Sequence, residues 1–306
     1  MKQILYRMAG LGLNLWSLPA PRQAVSLAIR LFSTPPRPAI REKERAFLKT
    51  ARQVRRQLAG LPVVEYHWGE ENAPLVVLSY GWGYNAGRWR HFVPELVTAG
   101  YRVLAYDPPG HGLAPAGQLN LPLNAAILRT LLEDYGPAEA VIAHSFGGSS
   151  TVYALQQLPE YLHPRRVAIM ASFSYVPNVF GGYRKALGLW SSLYWRMVRR
   201  FEEHIGHPLE HYDFALMAGR LPHVQALIVH APEDRVTPYG ESLRYFSFWP
   251  GSLLLSPAEG GHHLGTAGIT QEVLDFVLEG KAPALAERQE RPVRAEHDLV
   301  RFFAGM

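Results

Sequence analysis

The segment Val141-Ile142-Ala143-His144-Ser145-Phe146-Gly147-Gly148 runs from an apolar, strand-like stretch straight into a helical pattern, Phe146–Leu158. A serine at a strand-to-helix turn has its hydroxyl pushed out at the end of the sheet. The sharp turn needs small residues two positions to either side, here Ala143 and Gly147. The first amides of the following helix, and its positive dipole end, aim at the same spot. A serine that only caps the helix is the simpler reading. The strand before Ser145 and the helix after it are the context that a reactive serine needs.

Outward from this turn, apolar runs alternate with helix-length amphipathic patterns from residue 61 onward. The runs are Val63–Trp68, Leu75–Tyr80, Arg102–Tyr106, Ala140–Ala143, Arg166–Ala171, Ala226–His230 and Ser252–Leu255. The helical patterns include Arg88–Ala99, Leu123–Tyr135, Tyr239–Phe248 and Ile269–Leu278. Continuous apolar strands separated by helices predict an α/β fold with a doubly wound, mostly parallel sheet covered on both faces. The alternation pauses at 172–223, a stretch rich in aromatics such as Phe180, Trp190, Trp195 and Phe201. It reads as a helical cap inserted over one end of the sheet, with some of its rings lining an apolar cleft.

A serine hydroxyl is a poor nucleophile without a base, and the base needs an acid to orient it. Later strand ends offer both. The run Leu227–His230 leads into Ala231-Pro232-Glu233-Asp234, and Ser252–Leu255 leads into a loop ending Glu259-Gly260-Gly261-His262-His263. The chain order is Ser, Asp, His, each just past a strand. Glu233 and His263 are the neighbouring alternatives.

Together these residues resemble the α/β-hydrolase family over about residues 61–280. The matching motifs are Tyr80-Gly81-Trp82, Asp107-Pro108-Pro109-Gly110-His111-Gly112, Ala143-His144-Ser145-Phe146-Gly147, Asp234 with Pro238, and Gly261-His262. The resemblance implies Ser145 as nucleophile, Asp234 as orienting acid and His262 as general base. Asp234 is preferred because the family's acid sits a few residues before a proline, and His262 because the family's histidine directly follows glycine. The oxyanion hole would use the backbone amides of Trp82 and Phe146. Two positions depart from the family's pattern: Tyr80 stands where a histidine is usual, and Ala143 replaces the first elbow glycine. The expected activity is cleavage of an ester-like bond, either a carboxylic ester or a thioester. Acyl transfer or perhydrolysis on the same triad, and a non-catalytic binding protein, are the alternatives. The family's haloalkane dehalogenases and epoxide hydrolases use aspartate at the elbow, where this chain has serine. No cofactor is expected. Asp107 reads as a structural group tying the following turn together.

The chain has 306 residues, 48% of them apolar and 19% charged, and no cysteine. That composition argues against global disorder and removes thiolate nucleophiles and Cys-based zinc sites. His204, His207 and His211 invite a metal reading, but Gly206 and Pro208 break the helix that would align them, and no metal is expected. Charge is uneven. Residues 1–60 carry twelve Lys/Arg against Glu42 and Glu44, a net +10, which leaves −5 on the rest of the chain. No basic face recurs along the body, so nucleic acid is not an expected partner.

The expected organisation is a basic N-terminal helical arm at 1–60, a core at 61–171 and 224–280, the cap at 172–223 and a C-terminal tail at 281–306. Arg41–Leu58 reads as a basic helix with Phe47, Leu48, Val54 and Leu58 as its apolar positions. Three readings stay open for residues 1–33: packing on the body, lying on an anionic membrane surface, or serving as a secretory signal interrupted by Arg7 and Asn14. The expected location is cytoplasmic, with membrane association through the arm as an option. The expected partner is a small apolar ester substrate.

Overall fold

In the computed structural model, residues 2–289 are described. Their apolar runs form a nine-stranded sheet: β1 (Arg52–Leu58), β2 (Leu61–Trp68), β3 (Leu75–Ser79), β4 (Arg102–Asp107), β5 (Ala140–His144), β6 (Arg166–Met170), β7 (Gln225–Val229), β8 (Leu253–Leu255) and β9 (Glu287–Arg288). The spatial order is β1-β2-β4-β3-β5-β6-β7-β8-β9. Strands β3 to β8 run parallel, and β1, β2 and β9 pair antiparallel at the two edges. The doubly wound, mostly parallel α/β fold expected from the sequence is present.

Alternate residues of each central strand feed opposite cores, because strand side chains alternate faces. On β5, Val141 and Ala143 join one core, while Ala140 and Ile142 join the other. The first core packs under α5 (Leu121–Tyr135) and α6 (Phe146–Leu155). The second packs under α4 (Val93–Thr98) and α11 (Ala267–Glu279). Between β6 and β7 lie α7 (Val176–Leu187), α8 (Ser191–Ile205) and α9 (Phe214–Ala218), followed after β7 by α10 (Gly240–Phe248). The foot of this insertion is fastened by buried polar bonds. Arg244 reaches Asp213 at 2.7 Å, and Glu241 accepts from Ser174 and Asn178.

The N-terminal arm corrects one expectation. Residues 41–58 are not a single basic helix. Only α3 (Glu42–Leu48) is helical, and Arg52–Leu58 is edge strand β1, so the sheet begins before residue 61. The two-residue turn Ala59-Gly60, with φ of 49° and 74°, returns the chain into β2. Both turn residues at positive φ suit a tight hairpin whose twist matches the strands.

The preceding helices α1 (Lys2–Trp16) and α2 (Pro21–Ser33) pack on the insertion. Both groups of the Asn14 amide are used there: its nitrogen donates to Gly188 O, and its oxygen accepts from Trp190 N, each at 2.9 Å. Gly10 lies so close to α7 that a Cβ would overlap the Leu187 carbonyl. Phe32 of α2 meets Phe180, Tyr183 and Phe201, with centroids 4.5 to 5.9 Å apart. Pro35 and Pro36 then cross against Gly110 and Gly83, beside the loops that form the site. At the other end, β9 adds two residues to β8, and positions 290–306 of the expected tail lie outside the described residues.

Candidate active site

Ser145 sits between β5 and α6 with φ 52° and ψ −124°, a backbone region that a non-glycine residue rarely occupies. Strain of this kind persists only where the surroundings impose it. Here they do. A Cβ on Gly147 would overlap the carbonyl oxygen of Ser79, and one on Gly148 would lie 2.6 Å from Ser172 Oγ. The Ser145 side chain makes no capping bond to α6, so the simple cap reading fails. Among the described residues Ser145 Oγ has no hydrogen-bond partner at all.

The loop after β3 lies against the serine. A Cβ on Gly81 would stand 2.9 Å from Ser145 Cβ and 3.4 Å from Ser145 Oγ, so only glycine fits there. Neither Trp82 N nor Phe146 N has an acceptor among the described residues, and the Trp82 and Phe146 rings meet edge-to-face with centroids 5.2 Å apart. The loop's shape is held from behind. Tyr80 OH donates to Asp107 Oδ1 at 2.6 Å, which accounts for tyrosine at a position where the family usually has histidine. Gly83 N donates to His111 Nε2 at 2.9 Å, and His111 Nδ1 in turn donates to Pro109 O. That pattern requires a neutral imidazole, and burial holds the His111 pKa below its ordinary value.

Asp234, past the end of β7, is buried and divides its oxygens. Oδ1 accepts from Val236 N at 2.7 Å and Thr237 N at 3.1 Å, which fixes the loop. Oδ2 accepts from His262 Nδ1 at 2.8 Å. The neighbouring candidates have different partners. Glu233 turns away to accept from Gly261 N at 2.9 Å, and His262 rather than His263 meets Asp234. The bond from His262 Nδ1–H leaves its Nε2 free to accept a proton.

The structure brings Asp234 and His262 together and sets the His262 ring beside His144, the residue before Ser145, with centroids 4.9 Å apart. It does not close a hydrogen bond between His262 and Ser145 Oγ. Such bonds are commonly long without substrate and tighten when it is present.

Three residues that the sequence reading did not assign to the site hold this geometry. His144 Nε2 donates to His262 O at 2.7 Å, and burial, then the nearby Arg88 charge, push its pKa well below the ordinary histidine value. Arg88 Nη2 donates to His263 O at 2.6 Å, and burial pushes its own pKa down to about 10. His230, fully buried at the end of β7, places Nε2 3.1 Å from Asp234 Oδ2 and 3.0 Å from Thr237 O, while Nδ1 meets Ser242 Oγ at 2.6 Å. His144 and His230 were visible as strand-end histidines, but nothing local to them reveals their partners.

Asp107 is fully buried and accepts four bonds, from Tyr66 OH, Tyr80 OH, Ala86 N and Leu113 N, as a structural group would. Gly206 ends α8 at positive φ, so His204 is separated from the stacked His207 and His211 rings. Among the described residues no helix is long and apolar enough to cross a membrane.

Comparison with known proteins agrees with the geometry at the level of family. The alpha/beta hydrolase family model matches residues 75–303. Epoxide hydrolase A of Mycobacterium tuberculosis is 36% identical over 111 residues, which cover 35% of this chain and 33% of that protein. A bifunctional esterase/perhydrolase of Acinetobacter calcoaceticus is 26% identical over 115 residues, 37% of this chain and 42% of that one. The chain thus spans about a third of the length of the first curated relatives it matches. Among solved structures, the enol-lactonase of Burkholderia xenovorans LB400 superposes with a TM-score of 0.58 at 19% identity, covering 74% of this chain and 100% of that one. That likeness shows the shared fold. With the family model spanning most of the sequence, the chain belongs to the alpha/beta hydrolase family.

Proposed function

We propose that the protein is a serine hydrolase that cleaves an ester-like bond, a carboxylic ester or a thioester, through Ser145, His262 and Asp234. The observation that carries this reading is the Asp234–His262 bond of 2.8 Å, standing beside an uncapped serine held at φ 52°. In this mechanism the substrate carbonyl settles against the free amides of Trp82 and Phe146. Ser145 Oγ attacks the carbonyl carbon while His262 Nε2 takes the hydroxyl proton. The tetrahedral oxyanion is stabilised by the two amides, at roughly 3–4 kcal/mol per well-placed bond. Collapse breaks the bond to the leaving group, which receives the proton from His262. Water, deprotonated by the same imidazole, then attacks the acyl-enzyme and restores Ser145. Asp234 stays ionised and holds the imidazolium in place.

Epoxide opening of the kind named for the Mycobacterium relative is disfavoured by the side chain at the elbow. A carboxylate nucleophile would need an acid at position 145, and this chain has a hydroxyl. The aromatic rings of Trp82 and Phe146 at the mouth of the site favour an apolar acyl or alcohol part.

The test is a fluorophosphonate probe together with p-nitrophenyl esters of increasing chain length. Labelling and ester turnover should both vanish in Ser145→Ala and persist in Ser149→Ala, whose hydroxyl is committed to Phe173 O. Absence of labelling in the unaltered protein would favour a non-catalytic binding protein. Faster transfer of the acyl group to added alcohols, thiols or peroxide than to water would move the assignment to an acyltransferase or perhydrolase on the same triad.

A further inference from the structure

Helix α1 buries the face that a soluble helix would bury, with Leu13 and Asn14 against the insertion, yet its opposite face is also apolar. Ile4, Leu5, Met8, Leu11 and Leu15, with Leu18 just beyond the helix, are each more than half exposed. Positions 4, 8, 11, 15 and 18 fall on one continuous stripe, since residues three and four apart are helix neighbours. Arg7 is the sole charged residue between positions 4 and 18. Monomeric soluble proteins seldom leave so continuous an apolar stripe in water.

The surroundings of this stripe are basic. The four helices that pack together here, α1, α2, α7 and α8, carry nine Lys/Arg against Glu202 and Glu203. The first acidic residue of the whole chain is Glu42. Arg22, Arg30, Lys185, Arg196, Arg199 and Arg200 are all exposed. Trp16, Trp190 and Trp195 are exposed on the same group of helices, and Trp190 is tied to α1 through its own backbone N–H. An apolar stripe, indoles and a cationic surround is the composition that settles at a lipid headgroup boundary.

We propose that this outer face of α1, together with exposed arginines of α2 and α8, docks the protein on an anionic phospholipid surface. The stripe's spacing would also suit a second copy of the chain. Charge decides between the two occupants: a second copy would bring like charges together, whereas an anionic leaflet neutralises them. The docking does not depend on the ester-hydrolase reading, because none of these residues belongs to the site.

The test is co-sedimentation of the full chain with vesicles of phosphatidylcholine alone and with about 30% phosphatidylglycerol. Binding should be confined to the anionic vesicles and fall at least ~10-fold in Met8→Glu/Leu11→Glu/Leu15→Glu, whose side chains project into solvent. Arg22→Glu/Arg30→Glu, or about 0.5 M NaCl, should weaken it in the same direction. Circular dichroism and the melting temperature check that both variants stay folded. Failure to sediment with either vesicle would overturn the proposal, as would undiminished binding of the triple variant. A dimer in light scattering that the triple variant dissociates, without vesicle binding, would hand the stripe to a second copy.

Discussion

Two strand ends on the same rim of the sheet carry a buried aspartate with a buried histidine a few residues away. At the end of β4, Asp107 gives all four of its bonds to the fold: two tyrosine hydroxyls and two backbone amides. After β7, Asp234 gives one oxygen to backbone amides and turns the other to imidazoles, His262 at 2.8 Å and His230 at 3.1 Å. Residue type and burial are the same in both places. What separates scaffold from candidate chemistry is the partner: a carboxylate saturated by fixed donors has nothing left to orient, while one that meets a ring with a free far nitrogen can.

The largest effect that would break this contrast is Asp234→Asn. The amide keeps Oδ1 for Val236 and Thr237 but presents an N–H to His262 Nδ1, so the ring is driven toward the wrong tautomer. Ester turnover should fall by roughly 10³–10⁴-fold with the melting temperature little changed. Turnover within tenfold of the unaltered protein would show that Asp234 does not serve as the acid. Asp107→Asn should do the reverse. It strands buried hydroxyl or amide donors, and chemical denaturation should report a loss of about 3 kcal/mol. A smaller loss than that of Asp234→Asn would erase the distinction between the two carboxylates.

Gly81→Ala comes next, because it tests the loop that Asp107 anchors rather than the carboxylate itself. Its methyl would stand 2.9 Å from Ser145 Cβ, so kcat/KM should fall by about 10²-fold, for a stability cost of about 1–3 kcal/mol. Unchanged kinetics would mean that the loop gives way without disturbing the serine.

The smallest effect concerns the two histidines. Burial lowers the pKa of both His111 and His230. Each therefore takes up its proton more readily in the unfolded chain. The stability gained from holding them neutral is present above pH 6.5 and is lost as pH falls below it. The two should not share the loss equally. Protonated His111 would turn a donor toward Gly83 N–H, whereas the Ser242 hydroxyl facing His230 can rotate and accept. Melting temperature should thus decline between pH 6.5 and 5, and His111→Gln, which keeps an acceptor but cannot titrate, should flatten that decline more than His230→Gln. Equal slopes would remove the asymmetry.

The sheet's parallel centre was legible because buried strands must be continuously apolar, and the runs at 75–80, 140–143 and 226–230 could be little else. The edge was not. In Arg52–Leu58 the inward positions are Val54, Arg56 and Leu58, and Arg56 enters by pairing with buried Glu65. A strand that turns a half-buried arginine inward through a partner on another strand has no local signature, and its basic residues suit a helix equally well. Ala59-Gly60 was the signal available, a two-residue turn before an apolar run.

The site divides in the same way. Ser145, Asp234 and His262 stood out because each follows a strand in a required order. His144, Arg88 and His111 act through main-chain atoms of distant loops, which leave no trace in sequence, and His230 acts through Asp234 and Ser242, partners that nothing local to it marks. The bare, unpartnered Nδ1 of His144 cannot be inferred from its neighbours either, since the tautomer follows from the bond that Nε2 donates to His262 O.

Asn14 and Gly10 join the start of the chain to α7 so closely that removing residues 1–33 would be no innocent trimming. It would peel Phe32 from Phe180 and Phe201, and leave the Gly188 carbonyl and Trp190 amide without their mates. A shortened form would report on a damaged fold, so the role of the leading helices has to be dissected by surface substitutions in the intact polypeptide.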